Sequence, residues 1–291
     1  SAIIIFIVFK FFTKNIQIPH FNFTKTELFH KSKAMLSLGA TMSVTSMIVA
    51  LTGLLIQIFI RTTDGLEAVG FYSAGFLIVN AYVGMIFTAM STDYFPRLAA
   101  INTDNKKMNV AVNQQADVAI LLITPVIVLF LTFSPFVVEL LYSSKFNVII
   151  GFVTFGVLGT FFKAVSFSLG YVIISKGHSK VFITLSIIFN SVFLIISIFS
   201  YKIGGLTGLG IGFLIYYSLH LIVLKILTNY LYQIRLTKAF YRTFLVCAII
   251  CGCCFMATLV ESLYLRYLLM FVFVVFSILY TLKQFDKKMD L

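Results

Sequence analysis

Charge is what this sequence has least of. Asp, Glu, Lys and Arg make up 11% of its 291 residues and 60% are hydrophobic, for a mean hydropathy of +1.04. A soluble domain is about a quarter charged and about half apolar. This chain cannot hide so much apolar surface in a core of its own, so lipid must be its solvent. The alternation that marks barrel strands is missing too, and the long unbroken apolar runs leave helices to satisfy the backbone in lipid. Cysteine is confined to Cys247, Cys251, Cys253 and Cys254, inside one apolar segment. That grouping excludes a disulfide framework and reads as lipid-buried thiols rather than a zinc site. No nucleophile–base pair, metal-ligand cluster or phosphate loop stands out. The sequence therefore predicts no enzyme and no cofactor.

What is present is an all-α, polytopic membrane helix bundle. Eight apolar runs predict complete spans at about 35–60, 70–91, 114–133, 148–173, 181–200, 206–227, 241–260 and 265–282. Each is long enough, at 1.5 Å rise per residue, for a hydrocarbon core of roughly 30 Å. Ahead of them, Ala2–Phe12 has no basic flank and no small-residue cleavage site, so it is not a signal peptide. It predicts the end of a truncated transmembrane helix, and the chain the C-terminal part of something longer.

The net charge of +12 would suggest nucleic acid in a soluble protein. Here the basic residues alternate between loops instead. Of the 22, 17 fall on one side: five around the first loop (Lys10 to Lys33), then Arg97 with Lys106 and Lys107, Lys176 with Lys180, four from Lys225 to Arg242, and three in the C-terminal tail. Arg61, Lys145, Lys202 and Arg266 fall on the other. The heavy side is cytoplasmic by the positive-inside rule, which predicts a cytoplasmic C-terminus. No soluble domain is inserted, and Ser134–Phe146 predicts a short external surface helix.

Lys163 is the one basic residue left over. It lies about 12 residues, or roughly 18 Å, from the nearer cytoplasmic exit, too far for simple snorkelling. A charge at that depth needs a cavity or a partner, and its face carries Gly156, Gly159, Thr160, Ser166 and Gly170. It reads as a cation that meets an anionic substrate or takes part in ion coupling. The other readings are a structural pair with a carboxylate, or a span that ends earlier. The first span carries a small and polar stripe, Gly39, Ser43, Ser46, Ala50, Gly53, Gln57 and Arg61, on one helix face. It reads either as close helix packing or as a cavity wall. Asp93, Arg97 and Asp117, after Gln114 and Gln115, read as a gate or coupling network or as interface anchors. Asn80, Asn190 and His220 read as helix–helix hydrogen bonds or substrate contacts, with Asn80 on a face shared with Gly84 and Thr88. Gly204, Gly208 and Gly212 read as a packing face.

Short motifs go further. Gly70-Phe71-Tyr72-Ser73-Ala74-Gly75, Ser91-Thr92-Asp93-Tyr94-Phe95-Pro96-Arg97-Leu98, Pro135 with Glu139-Leu140-Leu141-Tyr142-Ser143-Ser144-Lys145-Phe146, and Tyr171 to Lys180 follow one another in that order. In order and spacing they resemble the O-antigen, or polysaccharide repeat-unit, flippases of the multidrug/oligosaccharidyl-lipid/polysaccharide exporter superfamily. The resemblance covers about 33–225, and the last two spans match by hydropathy alone.

The resemblance implies two six-helix lobes around a cavity. Residues 1–12 would end the first lobe, 13–34 form a cytoplasmic linker, 35–227 form the second lobe, and 228–291 add two helices and a basic tail. It implies alternating-access transfer of an undecaprenyl-diphosphate-linked oligosaccharide across a bacterial inner membrane, with membrane lipids and polysaccharide polymerase machinery as partners. Lys163, Arg61, Gln57 and Asn80 would then be candidate substrate contacts, the first two for the diphosphate on charge grounds. A cation-coupled drug antiporter and a peptidoglycan lipid-precursor flippase of the same superfamily are the alternatives. The antiporter would want deep carboxylates.

Overall fold

A computed structural model describes residues 25–289. The reading of Ala2–Phe12 lies outside the described residues. Two compact units are distinguished, Ser1–Ala40 and Thr41–Leu291. In the first, the described residues form the start of α1. Everything below concerns the second, apart from that start.

Among the described residues all regular structure is helical: α1 (Lys25–Leu77), a π-helical turn (Ile78–Tyr82), α2 (Met85–Ala100), α3 (Asn105–Leu141), a 3-10 turn (Ser144–Ile149), α4 (Ile150–Ser175), α5 (Ser179–Tyr232), α6 (Lys238–Thr258) and α7 (Leu263–Met289). Among the described residues, six helical stretches are long and apolar enough to cross a membrane. Two are far longer than one crossing needs: 65 residues at Leu36–Ala100 and 54 at Ser179–Tyr232.

Both long stretches break at glycine. Gly65 has φ 87° and ψ −173°, and Gly204–Gly205 leaves helical geometry with φ 56° at Gly205. Such φ values cost residues with a Cβ far more than glycine. At Gly204–Gly205 the chain doubles back. Phe193 and Phe213 have ring centroids 5.1 Å apart, and Phe189 and His220 4.3 Å. In a straight helix 20 residues would separate the first pair by about 30 Å. Gly208 and Gly212 lie in the seam, where a Cβ on either would collide with Ser200.

The core is built on α3 and α4. α4 packs on α5 and α3, and α3 packs in turn on α6 and α7. The apolar side chains left exposed, such as Ile195, Phe199, Leu245 and Phe271, form the outer faces of the helices. Cys247, Cys251 and Cys254 are buried and Cys253 is exposed.

The segment 134–146 differs from the surface helix that the sequence predicts. α3 runs through Pro135 to Leu141, and the 3-10 turn follows. Proline removes one ladder bond, but neighbouring helices let membrane helices tolerate the loss. Phe146 then closes the corner, stacked on Tyr142 at 4.8 Å and edge-on to Phe71 at 5.1 Å.

Connections gather at the two ends of the bundle. At one, Asn102 donates to the Ser175 carbonyl (3.0 Å), Lys176 reaches Asn105 (2.5 Å) and the Asn102 carbonyl, and His178 Nδ1 meets the Tyr232 hydroxyl (2.8 Å). There Asn109 and Asn113 also pin the segment after α5. The Arg235 N–H donates to Asn109 Oδ1 (2.8 Å), Asn113 donates to the Arg235 carbonyl (2.9 Å), and the Thr237 N–H donates to Asn113 (2.8 Å). This end carries Lys106, Lys107, Lys176, Arg235 and Lys238. The other end holds both glycine breaks and the Tyr201–Asp64 hydrogen bond.

Candidate functional site

Lys163 sits mid-way along α4. Its ammonium donates to Asn80 Oδ1 at 3.0 Å and lies 5.6 Å from the Phe87 ring centre and 5.3 Å from that of Tyr217. Among the described residues its partners are thus one neutral amide and two aromatic faces. The ion pairs found there are Arg97–Asp93 and Lys107–Asp104. An ammonium has three protons to donate, and Asn80 takes one. Aromatic faces hold a cation with about 0.5–2 kcal/mol each without neutralising it. The charge therefore stays available to an anion.

Asn80 is aimed by an irregularity in its own helix. It lies in the π-helical turn Ile78–Tyr82, where the Val83 N–H bonds the Ile78 carbonyl at 3.2 Å. The wider turn brings the Asn80 carbonyl against Gly84, so closely that a Cβ there would overlap it. Such π turns recur at functional sites. The sequence showed Gly84 on the Asn80 face but gave no sign of the turn.

Lys163 lines a cavity of about 490 Å³. One wall is α4, with Lys163, Ser166, Phe167, Gly170, Tyr171 and Ile174 at helical spacing. Facing it are both limbs of the α5 hairpin: Phe182, Ser186, Phe189 and Asn190 on one, Tyr216, Tyr217, His220 and Leu224 on the other. Ile174, Phe182 and Leu224 extend this lining toward the basic end. Sequence reading marked Lys163, Asn190 and His220 but passed over the aromatic residues, for which the available signal was the helical spacing of Phe167 with Tyr171 and of Phe182 with Phe189, four and seven apart.

The other predicted site residues lie elsewhere. Gln57 and Arg61 do not line this cavity. Arg61 is exposed and Gln57 half-buried, and the stripe from Ser43 to Ala50 is exposed as well. The buried positions along that stretch are Thr41, Thr45, Thr52, Ile56 and Ile60. Arg97 contacts Asp93 at 3.7 Å and donates to Gln115 Oε1 at 3.3 Å. Both members of that ion pair are well exposed, and such pairs contribute little. Asp117 is buried two residues beyond Gln115, about 200° around α3, on the face whose Leu121 carbonyl accepts from Thr281 of α7. The structure thus joins Asp93, Arg97 and Gln115 and sets Asp117 apart from them.

Residues 1–151, just over half of the chain, match the model of a family described as polysaccharide biosynthesis protein. No curated protein shows a significant match. Among solved structures, one described as lipid II flippase MurJ in an inward closed conformation superposes with a TM-score of 0.63. The match covers 99% of this chain at 14% identity, and the chain spans 60% of that protein's length. It shows a shared fold.

Proposed function

Since the chain belongs to the polysaccharide biosynthesis protein family, we propose that it carries a lipid-linked saccharide across the bacterial inner membrane. The cargo in this reading is an undecaprenyl-diphosphate-linked oligosaccharide, an O-antigen or other polysaccharide repeat unit, moved by alternating access. The observation that carries it is Lys163, a cation at membrane depth, held by Asn80, Phe87 and Tyr217 and open to a cavity. Intramembrane cations are costly and mark substrate pathways. A diphosphate is the part of such a lipid that needs one.

In the same reading the breaks at Gly65 and Gly204–Gly205 divide the six apolar stretches into eight crossings, and the basic end faces the cytoplasm. Residues 35–227 form one transporter lobe and 228–291 an added helix pair. Asp93, Arg97 and Gln115 belong to a cytoplasmic gate, with Asp117 on a separate contact. Arg61 and Gln57 meet substrate outside the Lys163 cavity.

The test is complementation of a strain defective in repeat-unit export. Lys163→Met abolishes polymer while the protein still inserts, and Lys163→Arg restores part of it. Wild-type polymer in the methionine variant rejects the reading. The likeness to the lipid II flippase structure favours a second cargo, a peptidoglycan lipid precursor, which shares the undecaprenyl diphosphate. Rescue of cell-wall synthesis on depletion of the resident lipid II flippase selects it.

A further inference from the structure

Lys163 uses one end of its cavity. The opposite wall carries polar groups that the cation does not touch. Lys163 lies 12 residues before the end of α4, Asn190 11 residues after the start of α5, and His220 12 residues before its end. Those three ends meet at the basic end of the bundle, where His178 contacts Tyr232. At 1.5 Å per residue all three side chains start about 17–18 Å from it. They form one polar layer across the cavity.

His220 and Asn190 each keep a polar atom that has no hydrogen-bond partner among the described residues. The imidazole lies edge-on to Phe189, with centroids 4.3 Å apart, and stacks on Tyr216 at 5.6 Å. Its Nδ1 is buried and has no hydrogen-bond partner among the described residues. Buried polar nitrogens are rarely left unmet. The residue itself lines the cavity. Asn190 is fixed by its amide nitrogen, which donates to the Ser186 carbonyl (2.8 Å) and hydroxyl (3.4 Å). Its oxygen takes no bond among the described residues.

We propose that this layer is a saccharide subsite, in which His220 and Asn190 read the sugar next to the diphosphate. This rests on the transport reading given above and deepens it. A pyranose has apolar C–H faces, which fit Phe189, Tyr216 and Tyr217, and hydroxyls around its rim, which need donors and acceptors such as His220 and Asn190. A prenyl chain would fill the same walls but leave those polar groups unmet, which is unfavourable. The cavity volume lies within the range that encloses small-molecule ligands. With Lys163 at the same depth, a diphosphate on the ammonium places the first sugar against the α5 hairpin.

The test is a binding titration with the purified protein, followed by native mass spectrometry. The probes are undecaprenyl diphosphate alone and the same lipid bearing N-acetylglucosamine, glucose or galactose. Wild type binds at least one sugar-bearing probe more tightly than the bare lipid. His220→Phe keeps the ring between Phe189 and Tyr216 and removes that preference, a loss of roughly tenfold or one neutral hydrogen bond. Its affinity for the bare diphosphate stays at the wild-type value, which also reports an intact fold. Asn190→Leu behaves likewise, and His220→Gln regains part of the preference. Lys163→Met weakens every probe. Equal losses on bare and sugar-bearing lipids in His220→Phe overturn the subsite, as does a wild type that binds all four alike. A wild type that binds none of them rejects the transport reading and the subsite with it.

Discussion

The hydroxyl of Tyr201 donates to the Asp64 carboxylate across 2.6 Å. It ties α1 to the first limb of α5 immediately before each meets its glycine break. Phe59 lies edge-on to the Tyr201 ring at 6.0 Å, and Lys202 sits 5.8 Å from the Phe59 ring centre. Tyr201→Phe keeps the ring packing and removes the bond. A hydrogen bond to a charged group contributes about 1.5–3 kcal/mol, and the exposure of Asp64 puts the expected loss near the lower figure. The thermal midpoint in detergent falls by a few degrees in Tyr201→Phe and in Asp64→Asn. The double variant is no worse than either, because both remove the same contact.

Gly84→Ala forces a methyl into the Asn80 carbonyl. Overpacking of this kind costs about 1–3 kcal/mol, and relief by straightening the π turn swings Asn80 away from Lys163. Transport drops along with stability. Gly53→Ala is the control, since a Cβ there meets nothing within 4 Å. Its activity matches wild type and its midpoint does not fall, since alanine favours the helix over glycine.

Asn80→Asp turns the Lys163 contact into an ion pair. The protein folds, yet the cation is now neutralised within the cavity. Affinity for undecaprenyl diphosphate falls by roughly tenfold or more, as expected when an anion must compete with a carboxylate already in place. Asn80→Ser, which keeps a neutral acceptor, stays within a few-fold of wild type. Titration of the purified variants separates the outcomes.

Asn113→Ala unfastens the segment after α5. It strands the Arg235 carbonyl and the Thr237 N–H, each bonded now by the Asn113 side chain. Unmet groups of this kind cost about 1–3 kcal/mol each when buried. Limited proteolysis then cuts near 233–237, where wild type resists.

Asp104 caps α3 by accepting from the N–H groups of Lys106 and Lys107. These bonds, that from Lys107 first, hold its carboxyl below the usual carboxylate range against the opposing effect of burial. A carboxyl with a lowered folded value stabilises the fold above its unfolded value, about 3.9, and that contribution disappears as the pH falls through the folded value. Asp104→Asn keeps a cap acceptor without the titration. Wild type therefore has the higher midpoint at pH 6, and the difference closes toward pH 3.

Much of the bundle was legible because hydropathy reports the solvent around each helix. The run lengths and the interruptions near Gly65 and Gly204 located the helices and their breaks, and Lys163 stood out because nothing apolar explains a lysine there. What sequence reading missed depends on partners rather than solvent. Asn109 and Asn113 sat in what read as a loop, whereas Asp104 caps a helix that starts at Asn105 and presents both to the chain near Arg235. The π turn at Asn80 leaves hydropathy unchanged. The cavity aromatics matched lipid-facing residues in composition, and the folding back of α5 is what turns Phe189 and Tyr216 toward each other.

That fold-back also bears on how the chain enters the membrane. Between Lys180 and Lys225, Lys202 is the sole lysine or arginine. On insertion scales one lysine at a helix centre opposes entry by about 2.5–3.5 kcal/mol, little against two apolar limbs. With the basic end cytoplasmic, as proposed above, the limbs would partition as a single helical pair, with Gly204–Gly205 as the leading edge and Lys202 drawn across with it. Entry of half the cavity wall thus tolerates one charge but not several. Placing further arginines beside Lys202 raises the barrier to its crossing and strands the hairpin, and both His220 and Asn190, on the wrong side of the bilayer.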